Sequence, residues 1–258
     1  MQWDDHSVGS QPVSEITEHP LATQPKSWSV TDFVLVWLGG FVGAALFFAL
    51  ALLLDNDDWV IVLGLAGQYV GNLSVLWVLS RFKDDASVGF EIEPRDAMYI
   101  GLGLLLQLAL ALLLLPLVRL LFPDGQPPQQ VAEVIGSAES SMLLKLSLVL
   151  AAVVLAPVTE EIIFRGVLLK ALRNHSNRFI MVATALVFSA VHLLGLDLDR
   201  LWASAALVLP QIFLLGLLLA WLTLRTGRLG PAIFLHSGWN LLAALVLLIP
   251  SDLLEQAG

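Results

Sequence analysis

Seven long apolar runs, separated by short polar stretches, leave few folds open to this chain of 258 residues. Each run is about as long as an α-helix must be to cross a hydrocarbon core of ~30 Å at ~1.5 Å per residue. The runs are Phe33–Leu54, Trp59–Ser80, Ala97–Phe122, Met142–Leu169, Phe179–Leu196, Ala203–Leu224 and Pro231–Ile249. The sequence therefore predicts an all-α fold, a polytopic membrane bundle of about seven transmembrane helices.

Composition and charge agree with this prediction and exclude several functions. Hydrophobic residues make up 57% of the chain and charged residues 14%, which is fewer charges than soluble domains carry. The net charge is −9, and there is no basic patch to neutralise phosphates, so we expect no nucleic-acid partner. Because the chain has no cysteine, it has no disulfide, no thiolate metal ligand and no cysteine nucleophile.

The distribution of Lys and Arg predicts the orientation of the bundle, since positive residues in short loops stay in the cytoplasm. Of the 13 basic residues, nine fall in the N-terminal segment or in loops after the second, fourth and sixth runs. These nine are Lys26, Arg81, Lys83, Arg95, Lys170, Arg173, Arg178, Arg225 and Arg228. We therefore expect a cytoplasmic N-terminus and an external C-terminus, in the plasma membrane of a bacterium or in an organelle membrane.

Three regions follow from these patterns. Residues 1–30 are expected to be a flexible acidic tail, residues 31–250 the transmembrane helical domain with its catalytic core at about 142–249, and residues 251–258 a C-terminal tail. In the sixth run, Pro210 and Gln211 mark either a kink in one helix or a break into two segments, and the charge alternation favours one helix. The glycine pairs Gly39/Gly43 and Gly67/Gly71 predict close helix packing, within the chain rather than between copies.

The fourth run holds three ionisable residues, in the stretch APVTEEIIFRGVLL. Glu161 and Arg165 are four apart and share a helical face, which predicts an ion pair. Glu160 points about 100° away and has no partner on its own helix, so it must find one elsewhere or stay protonated. Pro157 removes one backbone hydrogen bond and is expected to bend the helix and expose the Val153 carbonyl.

Two other runs also carry polar residues that hydrocarbon does not solvate. In the fifth run, Phe188 and His192 are four residues apart. In the seventh, which begins at Gly230-Pro231, His236 and Asn240 share a face. We expect these groups to meet Glu160 in the cytoplasmic half of the bundle. Each also has a structural interpretation, since a membrane histidine often bonds a carbonyl, a Glu–Arg pair often clamps a helix, and a Phe ordinarily packs.

The three segments together resemble the CPBP family, the CAAX protease and bacteriocin-processing group of membrane endopeptidases that includes type II CAAX prenyl endopeptidase. The family pattern of EExxxR, FxxxH and HxxxN reads here as Glu160 to Arg165, Phe188 to His192, and His236 to Asn240. The resemblance implies that Glu160 and His192 activate the attacking water and that His236 and Asn240 stabilise the oxyanion. It implies supporting roles for Glu161, Arg165 and Phe188, with a peptide or membrane-protein substrate.

Metal dependence stays open in this reading. Glu160, His192 and His236 supply the three nitrogen or oxygen ligands of an open zinc site. The same residues also act without a metal, as a Glu/His base with an oxyanion site, and we favour the version without a cofactor.

Two other functions compete with intramembrane proteolysis. The first is a non-catalytic membrane scaffold or bacteriocin-immunity-like protein of the same family, in which these residues hold the bundle together. The second is a proton-coupled transporter that uses Glu160 and the histidines as a relay.

Overall fold

Seven helices run through the computed structural model, which describes residues 26–53, 59–122, 140–196 and 200–248. The helices are α1 (Val30–Leu53), α2 (Val60–Ser80), α3 (Met98–Leu121), α4 (Met142–Ala171), α5 (Asn177–Val191), α6 (Leu201–Thr226) and α7 (Gly230–Leu247). A 3₁₀ turn, Pro94–Ala97, precedes α3, and a second, His192–Gly195, follows α5. The described part of the chain contains no strand.

These helices confirm the predicted fold class. Each of the seven, taken with its adjoining 3₁₀ turn where it has one, is long and apolar enough to cross a membrane. Leu53, Leu113 and Leu120 are 74–83% exposed on the outside of the bundle, where lipid rather than water suits them. The chain is an integral, multi-pass membrane protein. The predicted C-terminal tail, 251–258, and residues 1–25 of the predicted N-terminal tail lie outside the described residues.

Two details of the predicted helices are confirmed as well. The helix α6 passes through Pro210 without interruption, so the sixth run forms one helix. The helix α7 starts at Gly230, with Pro231 in its first turn, where the missing N–H of proline is not needed.

Glycines bring α1 and α2 into backbone contact. A methyl group added at Gly43 would overlap the carbonyl of Gly67, and one added at Gly71 would overlap that of Gly39. The predicted small-residue packing is therefore intramolecular, between consecutive helices.

A second close approach fixes the helix that carries His236 and Asn240. A side chain at Gly238 would overlap the Ile100 carbonyl on α3, and one at Gly103 would overlap the Leu235 carbonyl on α7. The face of α7 that holds Gly238 is thus pressed against α3.

The segment that joins α2 to α3 is fastened to other loops at the same end of the bundle. The Ser87 carbonyl accepts hydrogen bonds from Trp28 Nε1 and Lys170 Nζ, at 3.2 and 2.8 Å. The Gly89 and Glu91 carbonyls accept from the backbone N–H groups of Leu229 and Gly230. Three loops that the charge pattern places in the cytoplasm therefore lie together at one end.

Arg228 also links two of the loops at this end of the bundle. It donates two hydrogen bonds to the Asp96 carboxylate, at 2.8 and 3.0 Å. These hydrogen bonds raise the pKa of Arg228 above its usual value. Because the paired groups sit on neighbouring loops, they hold the starts of α3 and α7 together.

Candidate active site

The helix α4 has an irregular backbone around the two glutamates. Ala151–Leu155 and Ile162–Leu168 are π-helical, and only the short stretch Ala156–Glu161 between them is α-helical. Segments of π-helix are rare and occur often at functional sites. The two π-helical segments change which side chains of α4 face the neighbouring helices.

Pro157 explains one of the contacts that α7 makes with α4. In the π register the Ala156 N–H donates to the Ala151 carbonyl, five residues earlier. The next bond in that register would start from residue 157, which is proline and has no N–H. The Ala152 carbonyl accepts instead from Asn240 Nδ2, at 2.8 Å. The expectation of an exposed Val153 carbonyl stays a prediction, and the neighbouring Ala152 carbonyl is the one that Asn240 binds.

The predicted ion pair between Glu161 and Arg165 is confirmed. Arg165 NH1 lies 3.0 Å from Glu161 Oε1, and both side chains are completely buried. Arg165 NH2 also donates to the Gly216 carbonyl of α6, at 3.2 Å, and the guanidinium lies 4.4 Å from the centre of the Phe188 ring. Arg165 therefore bonds to α6 as well as to its own helix. The contact with Gly216 could not be predicted from the sequence, because a carbonyl acceptor has no side-chain pattern.

His236 lies between the two glutamates. Its Nδ1 is 3.0 Å from Glu161 Oε1, the same oxygen that Arg165 contacts, and its Nε2 is 3.8 Å from Glu160 Oε2. The His236 side chain is 4% exposed, whereas that of Glu160 is 27% exposed. The helix α7 thus brings His236 close to Glu160, which has no partner on α4.

His192 ends α5 and is turned towards its own helix. Its Nδ1 lies 2.7 Å from the Phe188 carbonyl, which can only accept, so Nδ1 carries the hydrogen and Nε2 is left with its lone pair. Within the described residues no hydrogen bond or ion pair joins His192 to Glu160 or His236. Phe188 lies between the two histidines, with ring centres 4.9 Å from His192 and 5.7 Å from His236.

Phe188 is a completely buried contact point for three helices. Its ring meets Phe164 of α4 edge to face at 5.0 Å, in addition to both histidines and Arg165. The supporting role of Phe188 stays a prediction.

The residues named for a zinc site do not form one in this arrangement. Among the described residues, no three His, Asp or Glu side chains are placed to hold a metal ion together. The Nδ1 atoms of His192 and His236 contact a carbonyl and a carboxylate, so only the Nε2 atom of each ring is open to an ion. Glu160, His192 and His236 therefore do not fit a three-ligand metal centre, and no step below uses one.

An apolar groove lies beside the site, between α3 and α6. Its volume is about 270 Å³, and its lining includes Leu106, Leu110, Leu214, Leu218 and Trp239. Trp239 stands between His236 and Asn240 in the sequence, so the groove and the polar cluster share the helix α7.

Comparison with known proteins matches the part of the chain that carries this cluster. The model of the family described as type II CAAX prenyl endopeptidase Rce1-like matches residues 142–242, which include all seven of the predicted site residues. An uncharacterized 24.3 kDa protein of Escherichia coli is 27% identical over 197 residues, 75% of this chain and 73% of that protein. No solved structure matches the chain significantly.

Proposed function

We propose that the chain is an intramembrane endopeptidase of the CPBP/CAAX protease family that hydrolyses a peptide bond near the cytoplasmic face. The match of the family model to residues 142–242 supports this proposal. One observation carries this proposal. A buried histidine, His236, lies 3.0 Å from one glutamate and 3.8 Å from another inside a membrane bundle. Such groups are costly in hydrocarbon unless they are paired or do chemistry, and hydrolysis needs this kind of acid–base set.

In this proposal Glu160 is the general base for the attacking water. It is the less buried of the two glutamates and has no hydrogen-bonded cation among the described residues, whereas Glu161 is bound by Arg165. His192 assists through Nε2, the nitrogen that its bond to the Phe188 carbonyl leaves free. Glu160 takes a proton from water as the water oxygen adds to the peptide carbonyl carbon.

His236 and Asn240 stabilise the oxyanion that this addition forms. Asn240 uses one N–H of its amide to bind the Ala152 carbonyl and keeps the other for the substrate. Removing one such donor costs about 100–1,000-fold in rate in comparable enzymes.

The substrate class follows from the family description and from the groove. The family takes its name from prenyl endopeptidases that act on CAAX sequences. The apolar groove beside Trp239 offers room for a lipid group attached to a peptide. We therefore propose a peptide with an apolar modification as the first substrate to try.

The test uses purified protein in lipid vesicles with internally quenched peptides that end in a CAAX sequence, either farnesylated, geranylgeranylated or unmodified. Glu160→Gln and His192→Ala should abolish cleavage while the protein stays folded. Two controls match them. Glu91→Gln changes an exposed glutamate. His175→Ala removes a histidine that also bonds a nearby backbone carbonyl, that of Leu172 at 3.2 Å, but lies in the loop after α4. Full cleavage by Glu160→Gln would refute the proposal.

A peptide outside this panel can be found in cells. Membrane-peptide fragments are compared by mass spectrometry between strains that express wild type and Glu160→Gln. Fragments that only the wild type produces would identify the cleavage site.

A scaffold or immunity-like role is the second candidate, because several polar groups of the cluster also join helices. Asn240 joins α7 to α4, and Arg165 joins α4 to α6. This role predicts that Glu160→Gln lowers thermal stability and that no peptidase activity appears on any peptide or in cells.

A further inference from the structure

The Glu161 carboxylate makes two contacts with one oxygen. Oε1 faces Arg165 NH1 and His236 Nδ1, each at 3.0 Å, while Oε2 has no hydrogen-bond partner in the described part of the protein. A plain ion pair with Arg165 does not require the second contact. It joins α4 to α7 across 75 residues of sequence.

The chemistry of these atoms fixes where His236 carries its hydrogen. The Glu161 carboxylate pairs with the Arg165 guanidinium, and a carboxylate accepts hydrogen bonds and donates none. The nitrogen at 3.0 Å from Oε1 must therefore be an N–H. Nδ1 holds this hydrogen in both the neutral and the cationic ring, so Nε2 is the nitrogen whose proton changes during a reaction.

That free nitrogen points at Glu160. The distance from Nε2 to Glu160 Oε2 is 3.8 Å, which is too long for a direct hydrogen bond. An oxygen atom of water or of a substrate fits between them within reach of both groups. Contacts thus connect Arg165 to Glu161 and Glu161 to His236. A reacting oxygen can lie next to His236 Nε2 and Glu160 Oε2.

We propose that Glu161 is a positioning residue that keeps the hydrogen of His236 on Nδ1 and thereby aims Nε2 at the reacting oxygen beside Glu160. The inference rests on the proposed peptidase function, and it assigns Glu161 a task beyond pairing with Arg165. When Nε2 is protonated, its N–H donates to the oxyanion, and Glu160 and Glu161 offset the charge of the ring. A carboxylate that fixes a catalytic histidine in this way has large effects on turnover in other hydrolases.

The alternative is that Glu161 only neutralises Arg165, and two double variants separate these roles. Arg165→Met/Glu161→Gln and Arg165→Met/Glu161→Met both remove the two charges together, so neither leaves a buried charge unpaired. Their side chains at 161 have similar length, but only the first keeps an oxygen that accepts the Nδ1 hydrogen. Thermal melting of both proteins in lipid vesicles shows whether they fold.

The first readout is solid-state ¹⁵N NMR of histidine-labelled protein in bilayers, with the His236 signals identified by their loss in His236→Asn. In wild type and in Arg165→Met/Glu161→Gln, we expect the hydrogen on Nδ1. In Arg165→Met/Glu161→Met, a second population with the hydrogen on Nε2 should appear. Identical His236 spectra in the two double variants would overturn the proposal.

The second readout is cleavage of the best peptide from the panel above. Relative to Arg165→Met/Glu161→Gln, the Arg165→Met/Glu161→Met variant should lose about 100-fold or more in kcat. KM should stay within about threefold, because a contact realised only in the transition state leaves substrate binding unchanged. Equal kcat values in the two folded double variants would overturn the proposal even if the NMR spectra differ.

The two readouts also separate this inference from the proposed function. If wild type cleaves no peptide but the NMR difference appears, the proposed function fails and the positioning contact stands. If wild type cleaves peptides and the spectra do not differ, the function stands and the positioning role is wrong.

Discussion

At the scale of single residues, Asn240 combines a structural contact with its proposed chemical role. Its amide binds the Ala152 carbonyl that Pro157 leaves without a backbone donor. A simple Asn240→Ala variant would therefore lose stability and catalysis together, and neither loss alone would reveal the cause. A substitution of Pro157 makes it possible to separate the loss of stability from the loss of catalysis.

We expect Asn240→Ala to lower the free energy of unfolding by about 1–3 kcal/mol, because it leaves the partly buried Ala152 carbonyl unpaired. In a Pro157→Ala background the loss should be smaller, since the new backbone N–H can bind the Ala152 carbonyl. Cleavage should fall by about 100–1,000-fold in both backgrounds if Asn240 binds the oxyanion. Unfolding in detergent and peptide assays measure the two effects, and equal stability losses in the two backgrounds would contradict the assigned contact.

The donor atoms at the site also predict how the protein responds to metal removal. Since no three-ligand group exists among the described residues, purified protein should keep its peptide cleavage after chelation and dialysis. A zinc peptidase with an HExxH motif, treated in parallel, should lose its activity. One zinc ion per chain, together with loss of cleavage on chelation, would show that the site rearranges to bind metal.

At the scale of helices, the pair α1 and α2 is held by backbone contact rather than by interlocking side chains. Gly43 and Gly71 each leave no space for a methyl group, whereas Gly64, on the same helix as Gly71, has no atom within 4 Å of an added Cβ. These glycines therefore differ in what a substitution does, although the sequence shows all of them as small residues in apolar runs.

Gly71→Ala should lower the free energy of unfolding by about 1–3 kcal/mol, because the helices must move apart to admit the methyl group. Gly64→Ala is the matched control and should be neutral or slightly stabilising, since alanine favours the helix. Thermal unfolding in lipid vesicles compares the two proteins. Equal stability of both variants would mean that α1 and α2 are not in backbone contact.

At the scale of the whole molecule, the contacts among loops agree with the predicted sides of the membrane. Lys26, Ser87, Lys170 and Leu229 come from segments that the charge pattern places in the cytoplasm, and hydrogen bonds gather these segments at one end. The orientation itself, with this end in the cytoplasm, stays a prediction.

The absence of cysteine makes that orientation easy to test, because wild type gives no background with thiol reagents. A membrane-impermeant maleimide applied to intact spheroplasts should label Gly195→Cys. It should label Asp85→Cys and Asn174→Cys only after the membrane is opened. All three positions are exposed on the bundle. The reverse pattern would invert the topology.

The sequence predicted the helices well and the site only partly. A bilayer demands about 20 apolar residues per crossing, so the runs fixed the helices to within a few residues. The Glu161–Arg165 pair was predictable because both residues belong to one helix. The contacts of His236 with the glutamates depend on how α4 and α7 pack, which no spacing encodes. The π-helical register of α4 could not be predicted either, because an apolar helix has no polar face from which its period can be read.

The Glu161–Arg165 pair has a consequence for biosynthesis. Helices enter the membrane in chain order, and the α7 residues that contact α4 lie 75 and 88 residues further along the chain. While the ribosome is still making α7, Glu161 can already neutralise Arg165 within α4. The helix α4 can therefore be stable in the bilayer before α7 is inserted. His236 arrives with the last helix. A nascent chain therefore has no complete polar cluster until its last helix is made.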